Sequence, residues 1–165
     1  MQRTDPERQI AEFIARYTPE MAASIRACRA KIRSFFPRGF ELVYDNYNAL
    51  VFAFGPSGRS SEAVLSLAAY PGWVTLFFAK GNALSDPDSL LQGKGKHIRG
   101  IAKMVPEQLS SAPVMRLIAE AMAPVEQAFR EAPELTTIIQ SVSEKQRPRQ
   151  PARKHRLADN GSSQA

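Results

Sequence analysis

Two groups of side chains in this sequence have the chemistry to bind a ligand. The first group is polar and aromatic, and it comes from the segments 44–48 and 70–73. Phenol, indole and amide side chains that converge on one pocket can hold a small molecule by hydrogen bonds and by apolar contact. The predicted ligand-binding residues are Tyr44, Asp45, Asn46, Asn48, Tyr70 and Trp73.

The second group is basic and lies later in the chain. Glycines in the run Gly93-Lys94-Gly95-Lys96 can expose backbone N–H groups, and the lysines add positive charge. A P-loop needs two glycines that bracket four residues, followed by lysine and then serine or threonine, and this run lacks that spacing. A solvated turn and a general anion site both remain open. The predicted anion-binding residues are Lys80, Lys94, Lys96, His97 and Arg99.

Candidates for catalysis are few. The sequence has two histidines, His97 and His155, and neither falls in a recognisable Ser/His/Asp or Cys/His arrangement. The single cysteine, Cys28, falls on the apolar stripe of a predicted helix, which favours a core position over a reactive thiol. The sequence therefore predicts a protein that is not an enzyme, and a reaction that depends on His97 or Asp45 is the alternative.

Metal binding would have to rely on carboxylates, because the fold has too few histidines and cysteines for a site built from several of them. Asp86 and Asp88 have a simpler interpretation, since Asp86 can cap a helical turn that has Pro87 at its first position. A carboxylate site for iron stays open as an alternative. Its candidate ligands are Asp45, Glu62, Asp86 and Asp88.

Four predicted strands would position these groups. Runs rich in β-branched and aromatic residues alternate with turn signals such as Gly55-Pro56-Ser57-Gly58 and Tyr70-Pro71-Gly72-Trp73. Consecutive strands joined by such turns predict an antiparallel meander, in which Asn46 lies opposite Ala69. The predicted strands cover residues 42–54, 63–70, 73–79 and 96–102.

This meander would separate the two groups. The segments 44–48 and 70–73 meet at one end of the sheet, which we call the polar-aromatic end, and the basic residues collect at the opposite end, the basic end. Period-two alternation puts Tyr44, Asn46 and Asn48 on one face. Buried amides need hydrogen-bond partners. Either these amides bond to neighbouring backbone or cap a helix, or they line a small-ligand pocket.

Helices flank the predicted sheet. Apolar residues at helical spacing, with Thr18 as an N-cap and Pro19 at the first helical position, predict two N-terminal helices. A further helix is predicted around residues 114–122, with a short one after it. The fold class is therefore α+β, with a small four-stranded antiparallel meander flanked by N-terminal and C-terminal helices. Residues 1–142 are expected to form a single domain, and residues 143–165 a basic disordered tail.

Positive charge is concentrated in that tail. The chain has a net charge of +6, and the segment 143–165 carries six lysines and arginines against two acidic residues. Such a tail predicts nucleic-acid association as an alternative function, with further phosphate contacts from Lys80, Lys94, Lys96 and Arg99. No apolar run reaches the roughly 20 residues of a membrane helix, and no signal-peptide pattern is present. We therefore expect a soluble, cytoplasmic protein with no membrane partner.

Several motifs in the middle of the chain are typical of one family. They are the runs Val43-Tyr44-Asp45-Asn46-Tyr47-Asn48-Ala49, Tyr70-Pro71, Leu76-Phe77-Phe78 and Asp86 to Lys96. Across about residues 30–121 the sequence resembles the YdhG-like family, also called domain of unknown function eighteen-oh-one. The resemblance implies helices packed on a small antiparallel sheet, and some relatives are described as frataxin-like iron chaperones. The predicted function is a non-enzymatic module that binds a small ligand or iron.

Overall fold

The computed structural model describes residues 5–151 and contains four α-helices and six β-strands in that range. Four short 3₁₀ turns, at Ser60–Glu62, Gly81–Ala83, Pro106–Ser110 and Ala123–Val125, connect them. The helices are α1 (Pro6–Ile14), α2 (Pro19–Ser34), α3 (Ala112–Met122) and α4 (Glu126–Glu131). The strands are β1 (Phe40–Asp45), β2 (Leu50–Gly55), β3 (Leu65–Ala69), β4 (Val74–Phe78), β5 (Arg99–Ile101) and β6 (Thr136–Val142).

The strands form one sheet in the order β5-β4-β3-β2-β1-β6. Strands β1 to β5 pair as an antiparallel meander, and β6 pairs with β1 in parallel. The predicted α+β class with flanking helices is confirmed. The predicted number of four strands is wrong, because the sheet has six.

One extra strand arises because the run 42–54 folds as a hairpin. The Asn46 N–H donates to the Ala49 carbonyl at 3.0 Å, and Asp45 is the Cα partner of Leu50. Leu50 therefore lies opposite Ala69, where the sequence analysis placed Asn46. The run of asparagines was the signal for this turn, since asparagine favours turns. Asn46 and Asn48 are exposed turn residues and need no buried partners.

The other extra strand is β6, which the sequence analysis did not predict. It is rich in the β-branched residues that favour strands. It returns to the sheet after α4, and its register with β1 shifts between Val43 and Tyr44. Strand β6 covers the edge of β1 that the meander leaves open and itself becomes the outer strand of the sheet.

Helices α1, α2 and α3 cover one face of the sheet. The strand positions Val43, Phe52, Leu67, Leu76 and Ile101 are cross-strand neighbours that belong to the buried core. The predicted caps are present, since the Thr18 side chain accepts from the Met21 N–H. The helix residues that complete this core include Ile10, Phe13, Ile14, Ile25, Cys28, Ile32, Val114, Leu117 and Ile118.

A buried ion cluster ties the helices to the sheet on the same face. Glu41 is fully buried and accepts hydrogen bonds from Nε and Nη2 of Arg29, both at 2.8 Å, and from the Thr137 hydroxyl at 2.8 Å. Arg33 also pairs with Glu41, and Arg29 forms a second, bidentate pair with Glu7 at 2.6 and 2.9 Å. These contacts connect α1, α2, β1 and β6.

Two members of this cluster, Glu7 and Arg29, have shifted pKa values. The hydrogen bond from Arg29 lowers the pKa of Glu7. Burial lowers the pKa of Arg29, but its hydrogen bonds and ion pairs with Glu41 and Glu7 outweigh that effect and leave the pKa raised.

Within residues 5–151, no helix combines the length and the apolar character needed to cross a bilayer.

Candidate ligand-binding groove

A groove lies across the second face of the sheet, opposite the helices. Residues Ala53, Ser66 and Phe77 are cross-strand neighbours on β2, β3 and β4, and they alternate with the residues that face the helical core. They form an apolar floor that carries one hydroxyl group. The groove has a volume of about 280 Å³. Its lining residues are Tyr44, Asn46, Val51, Ala53, Ser60, Ala63, Leu65, Ser66, Phe77, Ala79 and Ile98.

The hydroxyl of Tyr44 is the unusual polar group of this groove. It is buried, and it has no hydrogen-bond partner among residues 5–151. Nearly all buried polar groups in folded proteins are paired, because an unpaired one loses its bonds to water without replacement. The groove is therefore lined by a residue, Tyr44, whose buried hydroxyl the described fold leaves without a hydrogen bond.

Only part of the predicted polar-aromatic group lines the groove. Tyr44 and Asn46 do so, whereas Tyr70 and Trp73 are outside it, stacked on each other at the β3–β4 turn with ring centroids 5.0 Å apart. Asn48 accepts from Arg147 Nη1 at 3.4 Å. The turns 46–49 and 70–73 do lie at the same end of the sheet, because Leu50 pairs with Ala69.

Asp45 is on the other face of β1 and belongs to an ion cluster. It is 1% exposed, and it pairs with Arg149 Nη2 at 3.0 Å and with Arg16 Nη1 at 3.2 Å. Gln146 Nε2 donates to the same carboxylate at 2.7 Å. The Asp45 carboxylate is therefore bonded to side chains of the same chain. It does not line the groove, so it is not one of the ligand-binding residues as the sequence analysis predicted.

The Asp45 cluster holds the segment 143–151 against the domain. The Ser143 N–H donates to the Asp45 carbonyl and the Arg147 N–H to the Tyr47 carbonyl, each at 2.9 Å. Arg149 is 3% exposed and also donates to the carbonyls of Asn46 and Tyr47. The sequence analysis placed the start of a disordered tail at Ser143 and did not anticipate these contacts, and the rest of that tail lies outside the described residues.

Tyr17 completes the packing beneath this segment. Its hydroxyl donates to the Ala69 carbonyl at 2.7 Å and accepts from the Leu50 N–H at 3.3 Å. The Arg149 guanidinium lies 6.0 Å from the centre of the Tyr17 ring. Burial raises the pKa of Tyr17 to about 12, so the phenol stays neutral at physiological pH.

The predicted basic residues are also brought together, between β4 and β5. The Asn82 N–H, just after Lys80, donates to the His97 carbonyl at 2.9 Å. Arg99 Nη1 donates to the carbonyls of Gly95 and Ile98, which leaves less of this guanidinium for an outside anion. Because Ala79 and Ile98 line the groove, this basic end borders the groove on the side away from Asn46. The exposed members are Lys80, Lys94, Lys96 and His97.

The candidate iron ligands do not meet. Asp45 lies in its ion cluster, and Glu62 bonds to Ser57 in the β2–β3 connection. The Asp86 carboxylate accepts from the N–H groups of Leu90 and Leu91 at 2.9 and 2.8 Å, so it holds the loop 86–91 together, and the helical turn that it was predicted to cap is not formed there. Within the part of the chain that the structure describes, no group of three or more His, Cys, Asp or Glu side chains could hold a metal ion.

Cys28 has the predicted core position. It is fully buried on α2, and burial raises the pKa of its thiol. Thiol reactivity depends on the thiolate, so this environment disfavours it as a nucleophile.

The sequence analysis missed most of the groove. Ser60, Ser66 and Phe77 were not among its candidates, although Ser66 and Phe77 fall at alternate positions of strands that it did predict. A polar residue between the core residues Leu65 and Leu67 was the signal that could have identified Ser66 as part of a second, accessible face. Ser60 had no such signal, because its place depends on how the β2–β3 connection folds over the sheet.

The chain matches no protein-family model, no curated protein and no solved structure. The resemblance to the YdhG-like family therefore stays a prediction.

Proposed function

We propose that this protein is a non-enzymatic module that binds a small, largely apolar molecule in the groove on the second face of its sheet. The observation that carries the proposal is the buried Tyr44 hydroxyl, which has no partner among residues 5–151. A ligand with a hydrogen-bonding group at this position would supply the missing bond. Such a bond is worth most in a site that excludes water.

The chemistry of the lining supports binding rather than turnover. Small-molecule sites are mostly apolar and have a few polar groups that fix the orientation of the ligand. Here the floor offers Val51, Ala53 and Phe77, and the polar groups are the Tyr44 phenol, the Asn46 amide and the hydroxyls of Ser60 and Ser66. None of the lining residues carries a carboxylate, imidazole, thiol or amine that could transfer a proton near neutral pH.

The size of the groove limits the ligand. Typical small-molecule pockets have volumes of roughly 300–1,000 Å³, and this groove, at about 280 Å³, is slightly below that range. A compact ligand with one or two flat rings fits this space. A negative group on the ligand would be favoured on the side of Ile98, where the neighbouring basic end begins.

Tyr44→Phe tests the proposal because it should change stability and affinity in opposite directions. Removing an unpaired buried hydroxyl should raise the free energy of unfolding of the free protein, by about 1 kcal/mol. The same change should weaken binding of a flat two-ring fluorescent probe with a hydroxyl and an acidic group, 6-hydroxynaphthalene-2-sulfonate, by roughly 3- to 10-fold. Urea unfolding and a fluorescence titration measure the two effects.

A second pair of variants tests the place of binding. Ser66→Leu fills the floor of the groove and should weaken binding of the probe at least about 10-fold. Ser85→Leu is the matched control, since Ser85 lines a separate depression beside α3. Equal affinity of both variants for the probe, with both proteins folded, would remove the groove from consideration.

A further inference from the structure

We infer a second binding surface, for single-stranded nucleic acid, at the polar-aromatic end of the sheet. Its parts are the exposed aromatic side chains of the two turns at this end and the arginines beside them. This surface is separate from the groove, whose lining includes none of the residues invoked here.

Two aromatic side chains at this end can stack on nucleic-acid bases, and a third supports one of them. Tyr47 and Trp73 are 52% and 44% exposed, and the Trp73 ring is supported by its stack on Tyr70. Their turns are two strand spacings apart in the sheet, a distance of about 10 Å. Exposed large aromatic residues on rigid turns are typical platforms for unpaired bases, which stack on them without sequence preference.

Cations lie beside these aromatic residues. The Arg147 N–H donates to the Tyr47 carbonyl at 2.9 Å, and the exposed Arg147 guanidinium lies next to Asn48. The Arg16 side chain is half-exposed and reaches the same cluster through Gln146, at 2.7 Å. Asp45 is buried in its pair with Arg149, so it presents no negative charge to a phosphate.

Cations next to stacking aromatics match the repeating phosphates and bases of a single strand. An acidic protein would match the charge alone.

The single tryptophan of the chain makes the test direct. A fluorescein-labelled oligothymidylate of twelve nucleotides is titrated with the full chain by anisotropy, and Trp73 emission is followed in parallel. Base stacking on Trp73 should quench its emission with the same midpoint as the anisotropy change. Raising the salt from 50 to 200 mM should weaken binding at least roughly 7-fold if Arg147 and Arg16 both contact phosphates.

Variants separate stacking from charge. Trp73→Ala and Tyr47→Ala should each weaken binding roughly 5- to 100-fold, the loss expected for one stacked base. Met115→Ala and Arg130→Ala are the controls, since Met115 is an exposed apolar residue on α3 and Arg130 an exposed arginine on α4. Both controls should bind within about twofold of the parent chain.

Three results would overturn the inference. The first is binding that leaves Trp73 emission unchanged or is unaffected by Trp73→Ala. The second is equal affinity for a twelve-base-pair duplex, whose bases cannot stack on the protein. The third is equal affinity for polyglutamate, which would show that charge alone drives the association.

Discussion

Replacing Arg149 by methionine should destabilise the protein, because this arginine holds the segment 143–151 against the sheet. Its Nη2 lies 3.0 Å from Asp45, and the two side chains are 2% and 1% exposed. Removing one member of a buried ion pair typically costs about 3–5 kcal/mol. Asp45 keeps Gln146 and Arg16 as partners, so we expect the lower value, about 3 kcal/mol. In a domain of this size, that corresponds to a decrease in Tm of roughly 6–12 °C.

A double-mutant cycle in urea measures the pair itself. Asp45→Asn keeps the shape of the side chain and removes its charge, and the double variant should be less destabilised than the sum of the two single variants by at least about 1.5 kcal/mol. Arg147→Met is the matched control. Arg147 is exposed, and its side chain makes a long, 3.4 Å hydrogen bond to Asn48, so the cost should stay below about 0.5 kcal/mol.

The result that would refute this reasoning is a cost for Arg149→Met as small as that for Arg147→Met. The segment 143–151 would then behave as the free tail that the sequence analysis predicts from Ser143 onward. The buried position of Asp45 would have to be explained by Arg16 and Gln146 alone.

Two further predictions concern buried titratable groups. Glu41→Gln should lower the free energy of unfolding by about 3–5 kcal/mol, because it leaves the Arg29 charge buried with only the half-exposed Glu7 as its ion-pair partner; urea unfolding measures this, and a loss below about 1 kcal/mol would contradict it. Tyr17 should make stability depend on pH in alkali. Its pKa is raised from 10 in the unfolded chain to about 12 in the folded protein, so its contribution is intact below pH 10 and is lost as the pH rises from 10 to 12, by about 1.4 kcal/mol per pH unit. Unfolding midpoints measured across that range should fall less steeply for Tyr17→Phe, and parallel curves would be the opposing result.

The elements with strong local signals could be predicted from the sequence. Thr18 and Pro19 start α2 in the expected way, and the Pro71-Gly72 turn joins β3 to β4 as predicted. These features depend on residues close together in the chain. Local capping and turn chemistry therefore determine them largely without help from the rest of the fold.

Features that depend on distant contacts could not be predicted in the same way. The strand character of β6 is visible in its residue types, but its parallel place beside β1 is not, since nothing local specifies that partner. The burial of Arg149 could not be predicted either, because an arginine in a polar, proline-containing segment is typical of an exposed tail. Its burial follows only from the position of Asp45 at the end of β1.

The place of β6 has a consequence for the order in which this protein folds. Thr137 and Glu41, which bond to each other across β6 and β1, are 96 residues apart in the chain. Closing a loop of that length costs an entropy equivalent to roughly 4 kcal/mol, whereas the three hairpins of β1 to β4 close loops of four, nine and four residues. At typical rates of protein synthesis, about 5–20 seconds separate the two residues on the ribosome. During that interval the meander can form with β1 as an unfinished edge, and Arg29 and Arg33, made before β1, are already present to neutralise Glu41.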